Sequence, residues 1–173
     1  MFKPGDKVVV LPSGFTSTIA AIDTADGPVD EAFAPMAVTV RLADDIDISR
    51  GDMICRDRNR PHVGQDIDAM VAWMTGETSL REGAKLSIKH TTRWGRALVK
   101  DLQYRLDVNT LHRDETADFL SLNEIGRVRL RTTVPLFFDE YRRNRTTGSF
   151  ILVDEVTQNT VGAGMILGPT DLS

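Results

Sequence analysis

Residues 123–166 read NEIGRVRLRTTVPLFFDEYRRNRTTGSFILVDEVTQNTVGAGMI, and the patterning of this stretch decides the fold class. Val128 and Leu130 alternate with Arg127, Arg129 and Arg131. A period of two turns apolar side chains to one face of a sheet and charges to the other. The loop FDEYRRNRTTG follows, and then SFILVDEVT, residues 149–157, an apolar run rich in β-branched and aromatic residues between Gly148 and Asn159, which reads as a half-buried or fully buried strand. Gln158, Asn159 and Thr160 turn the chain back into VGAGMI. Gly162, Ala163 and Gly164 carry so little side-chain volume that another backbone, or a sharply curved barrel wall, is expected to pass close to them.

Outward from this stretch, short strands separated by turn residues recur every dozen residues or so. A Pro4-Gly5 turn leads to a strand over 7–11, a second turn at Pro12, Ser13 and Gly14, and a strand over 16–22. An irregular segment broken by Gly27, Pro28 and Pro35 leads into AVTVRL, where Val38, Val40 and Leu42 alternate with Thr39 and Arg41. After the polar loop ADDIDISRG, DMICR is a short strand with Met53 and Cys55 on one side and Ile54 on the other. RDRNRPHVG, residues 56–64, is charged and proline-punctuated and marks the boundary between units placed at 1–60 and 61–173. DIDAMVAWM then puts Ile67, Ala69, Val71 and Trp73 on one face, and AKLSIKHTT pairs with RALVKDLQYRLD in a hairpin whose return strand begins at Trp94-Gly95. Only 110–119 has a mild helical pattern, too short to be stable alone. The chain is therefore expected to be all-β, two tandem small antiparallel β-barrels.

At 173 residues and 41% hydrophobic composition the chain can bury a workable core. Its formal net charge of −4 disfavours a nucleic-acid partner, because neutralising phosphates needs an excess of Lys and Arg. A single cysteine, Cys55, permits no internal disulfide, no apolar run approaches the roughly 20 residues of a membrane span, and no cationic-then-apolar leader precedes Lys3. The expectation is a cytoplasmic protein with no membrane contact.

Catalytic and cofactor motifs are missing from the pattern. The phosphate loop G-x-x-x-x-G-K-[ST] is absent, and GAG at 162–164 opens no helix that could present backbone amides to a dinucleotide. His62, His90 and His112 lack metal-binding spacing and read as isolated surface or strand residues. Cys55 sits in an apolar strand as a small hydrophobe, and Asp44, Asp45 and Asp47 read as a solvated loop rather than a calcium loop. No catalytic, metal or cofactor-binding residue is expected, and the chain should neither bind nor hydrolyse GTP. The suggestive cluster is Tyr141, Arg142, Arg143 and Arg145. Pairing with Asp139 and Glu140 on an exposed loop accounts for it at one extreme. Docking of a partner, which arginine's planar fork and tyrosine's amphipathic ring both suit, is the alternative.

The phrases DVNT at 107–110, LNEIGR at 122–127 and NRTTGSFILVD at 144–154 resemble the third domain of translation-factor type GTPases, and more closely the large subunit of bacterial sulfate adenylyltransferase. The resemblance extends over nearly the whole chain. Ahead of AVTV, where the family usually has Gly-Asp, this chain has Pro35 and Met36. It implies most of a second-domain barrel and all of a third, with the GTPase domain upstream of Met1, so that the first barrel lacks its leading strands and leaves residues 7–11 or a neighbouring strand unpaired. It further implies a parent enzyme using GTP, ATP and Mg, in which GTP hydrolysis is coupled to adenosine 5′-phosphosulfate synthesis on a separate small catalytic subunit. The partners implied are that subunit and the GTPase domain, with an adenylylsulfate kinase domain fused in some members. An elongation-factor barrel pair meeting tRNA or the ribosome, and an unrelated free-standing binding barrel, are the competing readings.

Overall fold

The computed structural model describes residues 1–170, and these divide into two compact units, one of residues 1–61 and one that begins at His62. The elements in chain order are β1 (Lys7–Leu11), β2 (Thr16–Thr24), β3 (Gly27–Pro28), β4 (Thr39–Leu42), β5 (Met53–Arg56), β6 (His62–Trp73), β7 (Leu80–Arg81), β8 (Lys85–His90), β9 (Arg93–Leu106), β10 (Arg113–Asp114), β11 (Phe119–Leu120), β12 (Ile125–Phe138), β13 (Ser149–Val153) and β14 (Thr160–Pro169). The described residues are all-β, with no helix.

In the first unit β1 lies between β2 and β5, and β2 also pairs with β3 and β4, which flank its Asp23 from opposite sides. Val8, Ile19, Ile22 and Ala32 form its core, with Phe2, Val40, Leu42 and Ile54 packed against them. Both flanks of β1 are paired, Val8 with Ser17 of β2 and with Arg56 of β5. The edge expected on residues 7–11 or a neighbouring strand is not on β1; β3, β4 and β5 each pair with one strand only, β5 being a neighbour of β1.

The second unit closes on itself. Following the hydrogen-bonded neighbours β9, β12, β6, β14, β13 and β8 returns to β9, which makes a six-stranded antiparallel barrel. Alternation fills its interior as the sequence requires. Ile67, Ala69, Val71 and Trp73 of β6, Val128 and Leu130 of β12, and Leu86 and Ile88 of β8 all join one buried cluster. The opposite face of β12 is a ladder of ion pairs, in which Arg127 grips Asp68, Arg129 lies 3.8 Å from Asp101, and Arg131 lies 3.2 Å from Asp66.

Several local expectations give way to side chains that compete with the backbone. Strand β13 ends at Val153 rather than running to 157, because the Asp154 carboxylate accepts the amides of Val156 and Thr157 at 2.9 and 2.7 Å. Residues 110–119 hold no helix, and the amides of Asn109, Thr110 and Thr116 turn instead onto Asp107 and Asp114. β6 begins at His62, so His62, Val63 and Gly64 are strand rather than connection, and their partners are Phe138, Phe137 and Leu136. Of the small residues at 162–164, Gly162 does face backbone, a Cβ there lying 3.3 Å from the Ala72 carbonyl oxygen, whereas at Gly164 the close neighbour is the Phe150 ring.

Candidate docking loop

The cluster Tyr141, Arg142, Arg143 and Arg145 lies in the connection between β12 and β13, and its fold is determined by bonds at both ends. Asp139 is held within the loop itself. Its carboxylate accepts the Thr147 hydroxyl at 2.8 Å, closing the loop across its base. The carbonyl of Glu140 takes the amides of Arg143 and Asn144 at 2.9 and 3.0 Å, and the Asn144 carbonyl takes that of Gly148 at 2.8 Å. Two backbone bonds tie this coil to the barrel, Tyr141 N–H to Ile166 O and Ile166 N–H to Gly148 O, both 2.8 Å. Gly148 is required by space, since a Cβ there would come within 2.4 Å of the Tyr141 Cα.

A braced base thus presents exposed charges. Arg142 is 87% exposed and its Nε bonds Glu140 Oε2 at 2.6 Å, so the local pairing expected from the sequence is realised for this residue. Arg145 stacks its guanidinium over Tyr141, 6.0 Å from the ring centre, which holds it upright without neutralising it. Arg143 is exposed in the same coil.

His90 was not singled out by its spacing, yet it underpins the loop. It is 1% exposed at the end of β8, and its Nε2 lies 2.7 Å from the Thr147 carbonyl, to which it donates. Burial pushes its pKa below the ordinary imidazole value, opposed by that bond. His62 and His112 are exposed. Cys55 is buried, with its thiol against the Val9 carbonyl, and burial raises its pKa. No group of three or more His, Cys, Asp or Glu side chains among the described residues could hold a metal ion. No helix among them is long and apolar enough to cross a membrane. The open cleft of about 670 Å³ around Arg105 and Asp107 is built on an internal ion triad, Arg105 with Asp114 at 2.8 Å and with Glu124 at 3.0 Å.

Residues 66–167, more than half of the chain and nearly all of the closed barrel, match the sequence model of the GTP-eEF1A C-terminal domain-like family. The chain belongs to that family. Among curated members with similar sequences, the bifunctional enzyme CysN/CysC of Mycobacterium tuberculosis H37Rv is 61% identical over 96% of this chain and 27% of its own length. The bifunctional enzyme CysN/CysC of Rhodopirellula baltica is 50% identical over 96% of this chain and 26% of its own length. Sulfate adenylyltransferase subunit 1 of Bacteroides fragilis is 44% identical over 96% of this chain and 35% of its own length. This GTP-eEF1A C-terminal domain-like chain therefore spans about a quarter to a third of the curated relatives it matches. Crystal structures of Sup35 with GDP and with GMPPNP superpose at TM-scores of 0.86 and 0.87 with 22% identity, over 98% of this chain and 42% of theirs. At that identity they show the fold alone.

Proposed function

We propose that this chain supplies the coupling barrels of the GTP-hydrolysing large subunit of a sulfate adenylyltransferase, with residues 1–60 as part of a second-domain barrel and 61–173 as the third-domain barrel. The observation that carries this reading is the 61% identity to the M. tuberculosis bifunctional enzyme CysN/CysC across nearly the full chain. In the whole enzyme, GTP hydrolysis in another domain would drive adenosine 5′-phosphosulfate formation from ATP and sulfate on the small catalytic subunit, in the cytoplasm. GTP, ATP and Mg then bind elsewhere in the assembly. The barrels act mechanically, presenting rigid faces to the GTPase domain and to the small subunit so that the nucleotide state changes their packing. The loop with Tyr141, Arg142, Arg143 and Arg145 is the docking element, a braced base with charges held out in solvent.

Calorimetric titration of the chain with the purified small subunit, and separately with the isolated GTPase domain, tests this. Saturable binding to both is the expected result, and binding to neither overturns it.

A further inference from the structure

Strand β9 buries Ala97 and Val99 in the barrel and leaves Leu98 between them half-buried on the outer face. There Leu98 stands directly opposite two cations, Lys85 of β8 on one side and Arg131 of β12 on the other. Side chains opposed in this way share a face of the sheet and lie within reach of one another. Glu155, from the turn between β13 and β14, closes the group with its carboxylate 2.8 Å from Arg96 Nε. These side chains line an open cavity of about 500 Å³, all of it within the second unit. That volume falls in the range that holds a small organic molecule.

The cations around the cavity are not equivalent. Arg96 is paired with Glu155, and Arg131 lies 3.2 Å from Asp66. Lys85 is exposed, and its ammonium has neither an ion pair nor a hydrogen bond among the described residues. One positive charge is thus left over beside half-buried apolar surface. A monocarboxylate with a hydrocarbon body matches both. Its anion balances Lys85 through charge-assisted hydrogen bonds, and its hydrocarbon covers Leu98 and takes apolar area out of water. A phosphate dianion matches less well, because its second charge exceeds what Lys85 balances and is brought up against Glu155. We propose that this cavity is a binding site for a small organic monocarboxylate, with the carboxylate on Lys85 and the hydrocarbon body on Leu98. Such a site on the barrel wall stands whether or not the chain docks a catalytic subunit. A free acid and the terminal carboxylate of a short peptide present the same chemistry, and the choice of probe separates them.

The test is an NMR titration of the full chain with hexanoate, with acetyl-glycyl-leucine, with hexanol and with inorganic phosphate, following backbone amide shifts. Saturable movement of the Leu98 and Thr133 amides, both at the cavity, is expected with the carboxylates and not with hexanol or phosphate. Tighter binding of hexanoate assigns a free acid, and tighter binding of the dipeptide assigns a chain terminus. Lys85→Gln should weaken carboxylate binding about tenfold, the loss of one charged hydrogen bond, while Lys7→Gln in the first unit should match wild type. Melting temperatures establish that both variants are folded. Absence of saturable shifts with both carboxylates overturns the site. Hexanol or phosphate moving the same amides at the concentrations that hexanoate does overturns the monocarboxylate chemistry, and wild-type affinity in Lys85→Gln overturns the role of Lys85.

Discussion

Phe150 of β13 stands directly opposite Gly164 of β14, and its ring occupies the space a side chain there would need, so that a Cβ on residue 164 would come within 2.0 Å of it. The aromatic is buried in the barrel core against the glycine. Gly164→Ala should therefore destabilise the second unit by about 1–3 kcal/mol, the usual cost of overpacking. Phe150→Leu together with Gly164→Ala should lose less than the sum of the two single changes, because the clash is shared. Urea denaturation of the four species checks this, and additive losses would mean the ring moves aside freely.

The His90–Thr147 bond makes stability depend on pH in a defined direction. Burial depresses the folded-state pKa of His90 below its unfolded value near 6.5, so the unfolded chain takes up the proton more readily. The resulting stability is fully present above about pH 6.5 and is lost as pH falls below it. Asp107, Asp114 and Asp154 also have lowered values, held down by their hydrogen bonds, but their contribution fades only below about pH 4, outside this window. Melting temperature should decline between about pH 6.5 and 5 in wild type and stay flat over that range in His90→Gln. The same slope in both would assign the effect to another group.

Along β12 the three arginines are not equivalent. Arg127 pairs with Asp68, which is 8% exposed, whereas the carboxylate facing Arg129 is well solvated. Truncating one partner of a buried pair leaves an uncompensated charge and costs about 3–5 kcal/mol, against about 0–1 for a surface pair. Arg127→Ala should thus be clearly destabilising and Arg129→Ala nearly silent in thermal denaturation. Equal effects would show that water reaches Asp68 easily.

In the first unit, hydrogen exchange should be slowest in β1, which is bonded on both flanks, and faster in β4 and β5, which each have one strand neighbour. Protection of β5 equal to that of β1 would show that its free edge is covered in solution.

The strand framework was legible because the strands of both units obey a period of two. Val128 and Leu130, or Ile67 to Trp73 in alternation, need only local pattern to be placed inside. What escaped were features set by single side chains. Asp154 cuts short a run whose β-propensity continues to Thr157, and Asp107 and Asp114 take amides that a helical reading of 110–119 would have used. At the loop between β12 and β13 the arginines and Tyr141 announced themselves by clustering. The role of Asp139 did not, since a carboxylate beside three arginines reads as their counterion until Thr147 is seen to hold it. His90 was equally silent, because its relation to the loop exists only through the register of β8 with β13.

The central claim is that these barrels transmit the nucleotide state to the catalytic subunit, and competition tests it most directly. The free chain, added in excess to an assembled large- and small-subunit sulfate adenylyltransferase, should occupy the small subunit without bringing a GTPase domain. The measurement is the rate of adenosine 5′-phosphosulfate synthesis with and without GTP as the chain is titrated in. Loss of the GTP-stimulated increment with the GTP-independent rate unchanged is predicted. An undiminished increment in the presence of a large saturating excess of the chain would contradict the account.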